Sequence, residues 1–505
     1  MSSSSRYTAV SGDDTHGSSR PSRRRDVGIV HHFSRAGVTG STLFVLGCLL
    51  LSLLPGQYIP ASPLHTSTTT RGLSPDRRHD RTMDDATCRL EFPLLYPQLS
   101  DNVAAWRAKG GISHADLDEA ARTCVGNWGM ARVVIRDGQL FLKQVREGGE
   151  SRISALLHLL HTAVSSDPTS NLEDDTGVEV VLSEADKDAS SSDAVWVLSK
   201  KVSEPKAKGT WLLPDFGFAG WPEAGIASFD EFLHLASLQD VLVPWAQKGD
   251  RILWRGLANG YTPRMDLLAQ TRTADADSWA DVKQTSFHDV GADFHPLIPM
   301  HEHCRHKYLV QTEGNSYSGR GKFLWACRSV TVAHELEWTQ HFHPALDANP
   351  LSKGQNMVQL PGKLFAGLRE TTLRLQANAN VSADQTLGRE NWGDGLGMNP
   401  PQKIAENAVE ALRNRYLTPA ATNCYVRAAL RAYAGVLRKE TWPRESGAEA
   451  WGVKGEGITP SGGPGGGVAP GGGKGKDLAK VGVKGDIEYG VWRLSGSPDW
   501  PPKTI

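Results

Sequence analysis

Short apolar runs and amphipathic stretches alternate along most of the chain. Residues 131–145 (ARVVIRDGQLFLKQV) predict a β-hairpin that turns at Asp137-Gly138, a pair favoured in two-residue turns. Further runs predict strands at 178–182, 195–199, 211–214, 308–312, 329–333 and 358–360, and helices at 117–122, 153–164, 229–238, 322–327 and 402–415. Because strands and helices alternate, we expect an α/β fold with parallel sheets.

The N-terminal region departs from this pattern. Residues 1–35 are rich in Ser and Arg and predict a disordered cytosolic tail. Residues 36–54 carry no charge and are just long enough for a bilayer core of about 30 Å. We favour a signal-anchor helix over a signal peptide or a buried helix, because a signal peptide has a shorter apolar core nearer the N-terminus. Arginines at 23–25 and 35 place the N-terminus in the cytosol, although more arginines follow the span.

Composition narrows the class of protein. The chain has 505 residues, 39% of them hydrophobic, and a net charge of -1, which argues against bulk binding to nucleic acid. Cys48 lies in the apolar span, and an odd number of cysteines remains. Disulfides Cys88–Cys124 and Cys304–Cys424 are possible, and we expect Cys327 to be a buried free thiol.

A glycine-rich loop, residues 313–321, separates a predicted strand from a predicted helix. Small residues that open a helix present free N–H groups, which suit a phosphate. Ser318, Arg320 and Lys322 add a hydroxyl and two cations. A P-loop is disfavoured, because Arg320 and Gly321 stand where that motif requires Lys and Ser or Thr. An ordinary glycine turn remains the alternative.

Several separated motifs carry a resemblance to a known family. Residues 306–346 (HKYLVQTEGNSYSGRGKFLWACRSVTVAHELEWTQHFHPAL) resemble the CAP10-type domain of glycosyltransferase family 90, which includes fungal capsule-associated proteins and animal protein O-glucosyltransferases. Matching segments are PDFGFAGWPE at 214–223, WRGLANGYTPR at 254–264, WADV at 279–282 and YLTPAATNCY at 416–425. The resemblance covers roughly residues 90–444. It implies a GT-B-like architecture, in which two Rossmann-like lobes face a cleft.

This resemblance gives the predicted segments their roles. Residues 55–90 form a stem, 91–250 an acceptor-side lobe and 251–444 a nucleotide-sugar-binding lobe. Residues 445–486 are a Gly-rich linker. The tail at 487–505 carries aromatic residues and either docks on the enzyme or stays loose.

The residue types at these motifs fit sugar transfer. Arginine forks can hold a diphosphate, and a carboxylate can take the acceptor proton. The predicted nucleotide-sugar-binding residues are Trp254, Arg255, Gly256, Arg264, Glu313, Gly314, Tyr317, Ser318, Gly319, Arg320, Lys322, Glu337 and Trp338. The predicted base is Asp215, with Glu223 second, because Gly220 stands where the animal relatives place an aspartate before an aromatic-Pro pair.

We therefore expect a glycosyltransferase that moves a sugar, xylose or glucose, from a UDP-sugar to a glycan or glycoprotein hydroxyl. By resemblance the reaction inverts the sugar carbon and requires no metal or other cofactor. The expected location is the Golgi or endoplasmic reticulum membrane, as a single-pass type II protein with a lumenal catalytic domain.

Two other functions stay open. One is a catalytically inactive carbohydrate-binding protein, because a fold does not fix an activity. The other is a metal-dependent hydrolase that uses His301, His303 and His306. The D-x-D pair Asp275 and Asp277 resembles a manganese motif of another glycosyltransferase fold, but it lies in a polar stretch typical of solvated loops.

Overall fold

The computed structural model describes residues 72–124, 128–146, 148, 151–169, 177–186, 193–286, 294–391, 395–438 and 487–495. All of them belong to one compact unit. Its helices are α1 Pro75–Arg78, α2 Asp85–Glu91, α3 Pro97–Ala108, α4 His114–Thr123, α5 Arg152–Ser165, α6 Phe229–Leu242, α7 Thr262–Gln270, α8 Ala276–Trp279, α9 Gly321–Trp325, α10 Leu368–Ala377, α11 Pro401–Ala408, α12 Pro419–Ala434 and α13 Tyr489–Ser495.

The strands form two main sheets. They are β1 Met130–Arg136, β2 Gln139–Arg146, β3 Val178–Ser183, β4 Val195–Val197, β5 Lys200–Lys201, β6 Trp211–Leu212, β7 Ile252–Gly256, β8 Ala280–Gln284, β9 Tyr308–Gln311, β10 Val330–Ala333, β11 Trp338–Thr339, β12 Val358–Gln359 and β13 Ile487–Glu488. Short 3-10 turns lie at Pro93–Leu95, Pro205–Lys208, Phe216–Phe218, Pro222–Ala224, Trp245–Gln247, Met300–Arg305, His343–Ala345 and Arg389–Asn391.

The first sheet is mixed and has the order β13-β2-β1-β3-β4-β6. β1 and β2 form the predicted hairpin, and Asp137 and Gly138 both adopt positive φ (50° and 70°), as a type I′ turn requires. β3 pairs antiparallel with β1 and parallel with β4. Every residue of β3 is buried, including Glu179, whose carboxylate pairs with Arg132 and Lys143.

The second sheet is entirely parallel, with the order β12-β10-β9-β7-β8. The expected α/β fold with parallel sheets is therefore confirmed. A two-stranded pairing of β5 with β11 joins the segments that follow β4 and β10. The carboxyl ends of β3, β7 and β9 lead into the candidate site described below.

Helix caps follow the sequence. Ser228 accepts a hydrogen bond from Glu231 N–H at the start of α6, and Thr418 does the same for Ala421 N–H at the start of α12. The predicted helix at 402–415 is α11 followed by a π-helical segment at Val409–Tyr416. Helix α12 then packs on α5 and α3 beside the first sheet.

Cysteine pairing differs from the expectation. The disulfides are Cys88–Cys424 and Cys304–Cys327, and Cys124 is the buried free thiol among the described residues. The predictions for Cys327 as a free thiol and for Cys124 as a disulfide partner were therefore wrong. Cys88 and Cys424 lie 336 residues apart and meet because α12 packs beside α2.

Residues 487–495 of the C-terminal tail dock on the first sheet. β13 pairs antiparallel with β2, and Tyr489 and Trp492 of α13 are buried. Of the two alternatives for this segment, docking is thus the one observed. The predicted disordered tail, signal anchor and Gly-rich linker lie outside the described residues, as does the stem up to residue 71. None of the helices within the described ranges is long and apolar enough to span a membrane.

Candidate active site at the junction of the two sheets

The glycine-rich loop connects β9 to α9 and touches the first sheet. Ser316 Oγ donates to Asp186 Oδ1 at 2.6 Å, and Asn315 Nδ2 donates to the Asp186 carbonyl at 2.6 Å. Asp186 follows β3 by three residues. We call this region, where the loop meets the segments after β3 and β6, the junction.

Two guanidinium groups lie beside the loop at the junction. Arg264 Nε donates to the Glu313 carbonyl at 3.1 Å, and Arg264 Nη1 donates to the Leu257 carbonyl at 2.8 Å. Arg320 donates to the Arg255 carbonyl and stacks over the Trp254 ring at 5.3 Å. Neither guanidinium forms an ion pair with a carboxylate of the described residues.

Burial is the main influence on the pKa of both guanidinium groups. Burial lowers the pKa of Arg320 to about 9, and the neighbouring charge of Arg264 lowers it further in the same direction. Burial also lowers the pKa of Arg264, against the attraction of Asp186. Both groups remain cationic at neutral pH, so the junction is ready for an anion with several oxygens.

Two glycines make room for these guanidiniums. A Cβ on Gly256 would lie 2.6 Å from Arg320 Nη1, and a Cβ on Gly314 would lie 2.5 Å from Arg264 Nη2. Both separations are far below van der Waals contact. Because Gly256 and Gly314 have no side chain, the guanidinium groups of Arg320 and Arg264 fit beside them.

Arg255 is engaged elsewhere. Its Nη2 donates to both carboxylate oxygens of Asp281 at 2.9 Å, and its Nη1 donates to the Asp281 carbonyl at 2.7 Å. β7 and β8 are parallel neighbours, which places this pair side by side. The structure therefore does not bring the Arg255 fork to the loop with Arg264 and Arg320.

Asp215 and Lys322 form an ion pair with no exposed side-chain surface. Lys322 Nζ lies 2.7 Å from Asp215 Oδ1 and also donates to the Gly319 carbonyl at 2.7 Å. The other oxygen, Asp215 Oδ2, accepts from Gln340 Nε2 at 2.8 Å, and Gly217 N–H donates to Oδ1. With both oxygens occupied by buried donors, this carboxylate holds the loop in place and has no open path to an acceptor hydroxyl.

Glu223 and Gly220 lie on the other side of the junction. Glu223 is exposed and accepts from Ser151 N–H at 2.7 Å and from Ser151 Oγ at 3.0 Å. A Cβ on Gly220 would lie 2.4 Å from the Ala227 carbonyl oxygen. An aspartate at position 220 is therefore sterically excluded in this backbone.

The two glutamates among the predicted nucleotide-sugar-binding residues, Glu313 and Glu337, have different surroundings. The Glu313 carboxylate accepts from Trp338 N–H at 2.8 Å and from Glu337 N–H at 3.2 Å, which ties β9 to β11. Burial raises the pKa of Glu313 to about 7, against those hydrogen bonds. Glu337 is partly exposed and pairs with Lys363 and Lys201.

The centre of the loop is buried. Tyr317 and Ser318 are 5% exposed, and burial raises the pKa of Tyr317 well above its usual range. Gly321 N–H donates to the Ser318 carbonyl at 2.9 Å, which closes the turn into α9. The half-buried Gly319 lies against the Trp221 ring, so the loop packs on both sheets.

Asp186 is a candidate that the sequence predictions missed. It is partly exposed at the junction, where burial raises its pKa despite the hydrogen bond from Ser316 and the charges of Arg152 and Arg264. Its position just beyond an apolar strand was the available signal, and the same rule had selected Asp215. Among the carboxylates near Arg264 and Arg320, Asp186 combines partial exposure with a raised pKa, which suits a general base.

The two metal-binding patterns noted in the sequence, the histidine cluster and the D-x-D pair, do not form a metal site among the described residues. The described residues contain no group of three or more His, Cys, Asp or Glu side chains arranged to hold a metal, and His301, His303 and His306 fall within that search. His303 is buried, its ring contacts the Pro299 carbonyl, and burial lowers its pKa to about 4. Asp275 of the D-x-D pair is bound by Arg369 Nε at 2.9 Å.

Fold and site together define a mixed α/β protein with two guanidinium groups, Arg264 and Arg320, beside a glycine loop. Residues 87–353, more than half of the chain, match the model of the glycosyl transferase family 90. The chain belongs to this family, and the resemblance stated from its motifs is confirmed.

Curated relatives agree with this assignment. Protein O-glucosyltransferase 1 of Rattus norvegicus is 27% identical over 148 residues, which cover 27% of this chain and 36% of the relative. The protein of the same name from Homo sapiens gives the same values. The O-glucosyltransferase rumi homolog of Anopheles gambiae is 25% identical over 224 residues, which cover 42% of this chain and 48% of the relative. The chain thus spans between a third and a half of the length of these relatives.

Proposed function

We propose that this protein transfers a sugar from a UDP-sugar, xylose or glucose, to a hydroxyl of a glycan or glycoprotein. The observation that carries the proposal is the pair of guanidiniums beside the glycine loop, Arg264 and Arg320, neither of which forms an ion pair with a carboxylate among the described residues. A diphosphate supplies the missing negative charge and can accept several N–H donors. Family membership and the relatives named as O-glucosyltransferases support the same reaction.

The proposed mechanism is a single displacement. Asp186 takes the proton of the acceptor hydroxyl, and the acceptor oxygen forms a bond to the anomeric carbon of the donor sugar. The bond from that carbon to the diphosphate oxygen breaks, and UDP leaves with the electron pair. The guanidiniums of Arg264 and Arg320 stabilise the charge that develops on the leaving group. Attack from the opposite side inverts the anomeric centre.

In this mechanism the two arginines neutralise the diphosphate, so transfer is proposed to be independent of metal. We also propose a GT-B-like arrangement. The glycine loop that would bind the donor follows a strand of the second sheet, and the proposed base Asp186 follows a strand of the first sheet. Manganese dependence of transfer would contradict the first point. It can be measured by adding a chelator and then restoring single metals.

A lumenal location is proposed together with the activity. Two disulfides link the described residues, and such bonds persist in the oxidising secretory pathway. A single-pass type II anchor in the Golgi or endoplasmic reticulum membrane fits the apolar stretch at residues 36–54. A C-terminal tag that is digested by protease outside intact microsomes would contradict this topology.

The test of the donor site is a thermal-shift and UDP-release screen of the purified protein against UDP- and GDP-sugars. We expect stabilisation by one UDP-sugar and slow release of UDP. Arg320→Ala should abolish both effects, Arg320→Lys should restore part of the binding, and Arg369→Ala serves as a surface control. Unchanged UDP release by Arg320→Ala would remove the diphosphate assignment. A folded protein that binds sugars without binding any nucleotide sugar would favour the inactive carbohydrate-binding alternative.

A further inference from the structure

A row of aromatic side chains leads away from the glycine loop along the first sheet. A Cβ on Gly319 would lie 3.4 Å from the Trp221 ring, and Trp221 meets Phe216 edge-on with centroids 5.4 Å apart. Arg152 then lies over both the Phe216 ring, at 4.8 Å, and the Trp128 ring, at 5.6 Å. The row therefore begins at the proposed donor site and ends at Trp128.

The two ends of this row reach solvent. Trp221 and Trp128 are half-buried, whereas Phe216 between them is 3% exposed. The backbone of Trp221 is fixed, because its amide N–H donates to the Ile226 carbonyl at 2.8 Å and its carbonyl accepts from Ile226 N–H at 3.0 Å. A ring on a fixed backbone leaves less entropy to be lost when a ligand covers it.

Charged side chains lie beside this row of aromatic rings. The exposed carboxylate of Glu223, two residues from Trp221, is oriented by hydrogen bonds from Ser151. Arg152 lies close enough to Asp186 to act against the rise in its pKa. Flat apolar rings beside a fixed carboxylate and a guanidinium offer both kinds of contact that a sugar ring makes.

We propose that Trp221 and Trp128 form an acceptor subsite that binds a sugar ring, so that the acceptor is a glycan. This inference rests on the proposed function, because it concerns the second substrate of the same site. The C–H face of a pyranose lies against the indole ring, and its hydroxyls reach Glu223 and Arg152. The hydroxyl nearest Asp186 is then the one that is glycosylated.

A peptide acceptor fits this surface less well. Peptides are commonly bound by a free strand edge or by pockets for alternate side chains. The row offers two partly exposed indole rings beside a carboxylate and a guanidinium, a combination that suits a ring with one apolar face. The name Protein O-glucosyltransferase 1 refers to protein, so a glycan subsite would set this chain apart from that relative in acceptor class.

The experiment compares acceptors and variants of the full chain with the UDP-sugar selected in the donor screen. The acceptors are the methyl glycosides of mannose, glucose, galactose and xylose, and a peptide that contains serine and threonine. The variants are Trp221→Ala, Trp221→Phe and Trp128→Ala. Leu242→Ala, which truncates a 61% exposed side chain at the end of α6, is the control. Donor hydrolysis without acceptor is measured for each.

We expect transfer to at least one methyl glycoside and none to the peptide. Trp221→Ala should raise the acceptor KM by about tenfold, the loss expected for one ring-stacking contact, while the Leu242→Ala control changes neither the acceptor KM nor donor hydrolysis. Trp128→Ala should act in the same direction, and Trp221→Phe should recover part of the loss. Transfer to the peptide alone, or glycoside transfer that is insensitive to both tryptophan variants, would overturn the subsite.

A separate binding measurement keeps the subsite testable if the donor screen fails. Saturation-transfer NMR with the methyl glycosides alone reports contact with the protein in the absence of nucleotide. Signals that Trp221→Ala removes would support the subsite even without UDP release. Signals equal in the wild-type protein and in Trp221→Ala would reject it.

Discussion

Lys322 Nζ lies 2.7 Å from Asp215 Oδ1, and neither side chain has any exposed surface. The two residues are 107 positions apart in sequence and connect the segment after β6 to the start of α9. Lys322 also holds the Gly319 carbonyl, so the pair fixes the glycine loop against the first sheet. The pair therefore links the segment after β6 to the helix that follows the glycine loop.

The first prediction separates a positioning role of Asp215 from a catalytic one. Asp215→Asn leaves Lys322 charged and buried without its partner, and we expect it to cost about 3–5 kcal/mol of unfolding free energy. Asp215→Asn combined with Lys322→Met should cost less, because no charge is then left unpaired. Urea denaturation measures both. Wild-type stability with loss of transfer would instead identify Asp215 as the base, as the sequence predicted.

The second prediction concerns Asp186. Asp186→Asn should reduce transfer by about a hundredfold or more while donor-induced stabilisation persists. Burial raises the pKa of this carboxyl. As the solution is acidified, the transfer rate should therefore begin to fall at a higher pH than it would with an ordinary aspartate as base. Ser316→Ala removes a hydrogen bond that favours the charged form, and it should shift the acidic limb of the pH–rate profile further upward. If Ser316→Ala does not shift the pH–rate profile, the result would argue against Asp186 as the general base.

The third prediction tests the space that glycines leave for the guanidiniums. Gly256→Ala and Gly314→Ala should displace Arg320 and Arg264, and each should raise the KM for the UDP-sugar by about tenfold to a hundredfold. Gly435→Ala is the matched control, since the nearest atom to its Cβ is 3.5 Å away. Donor KM values that match the control would show that these arginines do not hold the diphosphate.

The fourth prediction follows from the raised pKa of Glu313. Its carboxyl ionises near 4.5 when unfolded and at about 7 when folded, so the unfolded chain loses the proton first as pH rises. The stability contribution is complete below pH 4.5 and is lost as pH rises to about 7. Glu313→Gln lacks this titration. The difference in unfolding free energy between the wild-type protein and the variant should therefore change by about 3 kcal/mol across this window.

Chemical denaturation at several pH values between 4 and 8 measures this difference. The wild-type protein should become less stable relative to Glu313→Gln as the pH rises, and the two curves should run parallel above pH 7.5. Glu370→Gln, on the exposed side of α10, controls for the loss of a negative charge. Parallel curves over the whole range would contradict the raised pKa.

Local sequence signals predicted the elements well. The Asp137-Gly138 pair defines the hairpin turn because both residues take positive φ. The glycine loop was identifiable because its residues 314, 319 and 321 lie between an apolar strand and a short helix. In each case the physical constraint acts within a few residues.

Partnerships between distant residues were not predictable in the same way. Arg255 carries the residue type for phosphate binding, yet the pairing of β7 with β8 places Asp281 within reach of its fork. Asp215 and its partner Lys322 follow strands of different sheets and are 107 residues apart in sequence. The disulfide Cys88–Cys424 depends on the return of α12 to the first sheet. Such contacts depend on tertiary packing, which a motif does not encode.

The last prediction concerns the docked C-terminal segment. β13 covers the edge of β2, where Ile487 pairs with Leu142, and α13 buries Trp492. Its Tyr489 ring lies 4.7 Å from the ring of His161 on α5. An uncovered strand edge with an apolar surface beside it invites association between molecules.

Removal of residues 487–505 should therefore lower the Tm and produce aggregates in light scattering at a concentration where the full chain is monodisperse. Trp492→Ala should cause part of the effect, because it removes a large buried ring at a cost of up to about 3 kcal/mol. Deletion of residues 462–475 from the Gly-rich linker is the control, since shortening a linker changes its closure entropy only slightly. A truncated protein with the Tm and scattering of the control would mean that β2 does not depend on this segment.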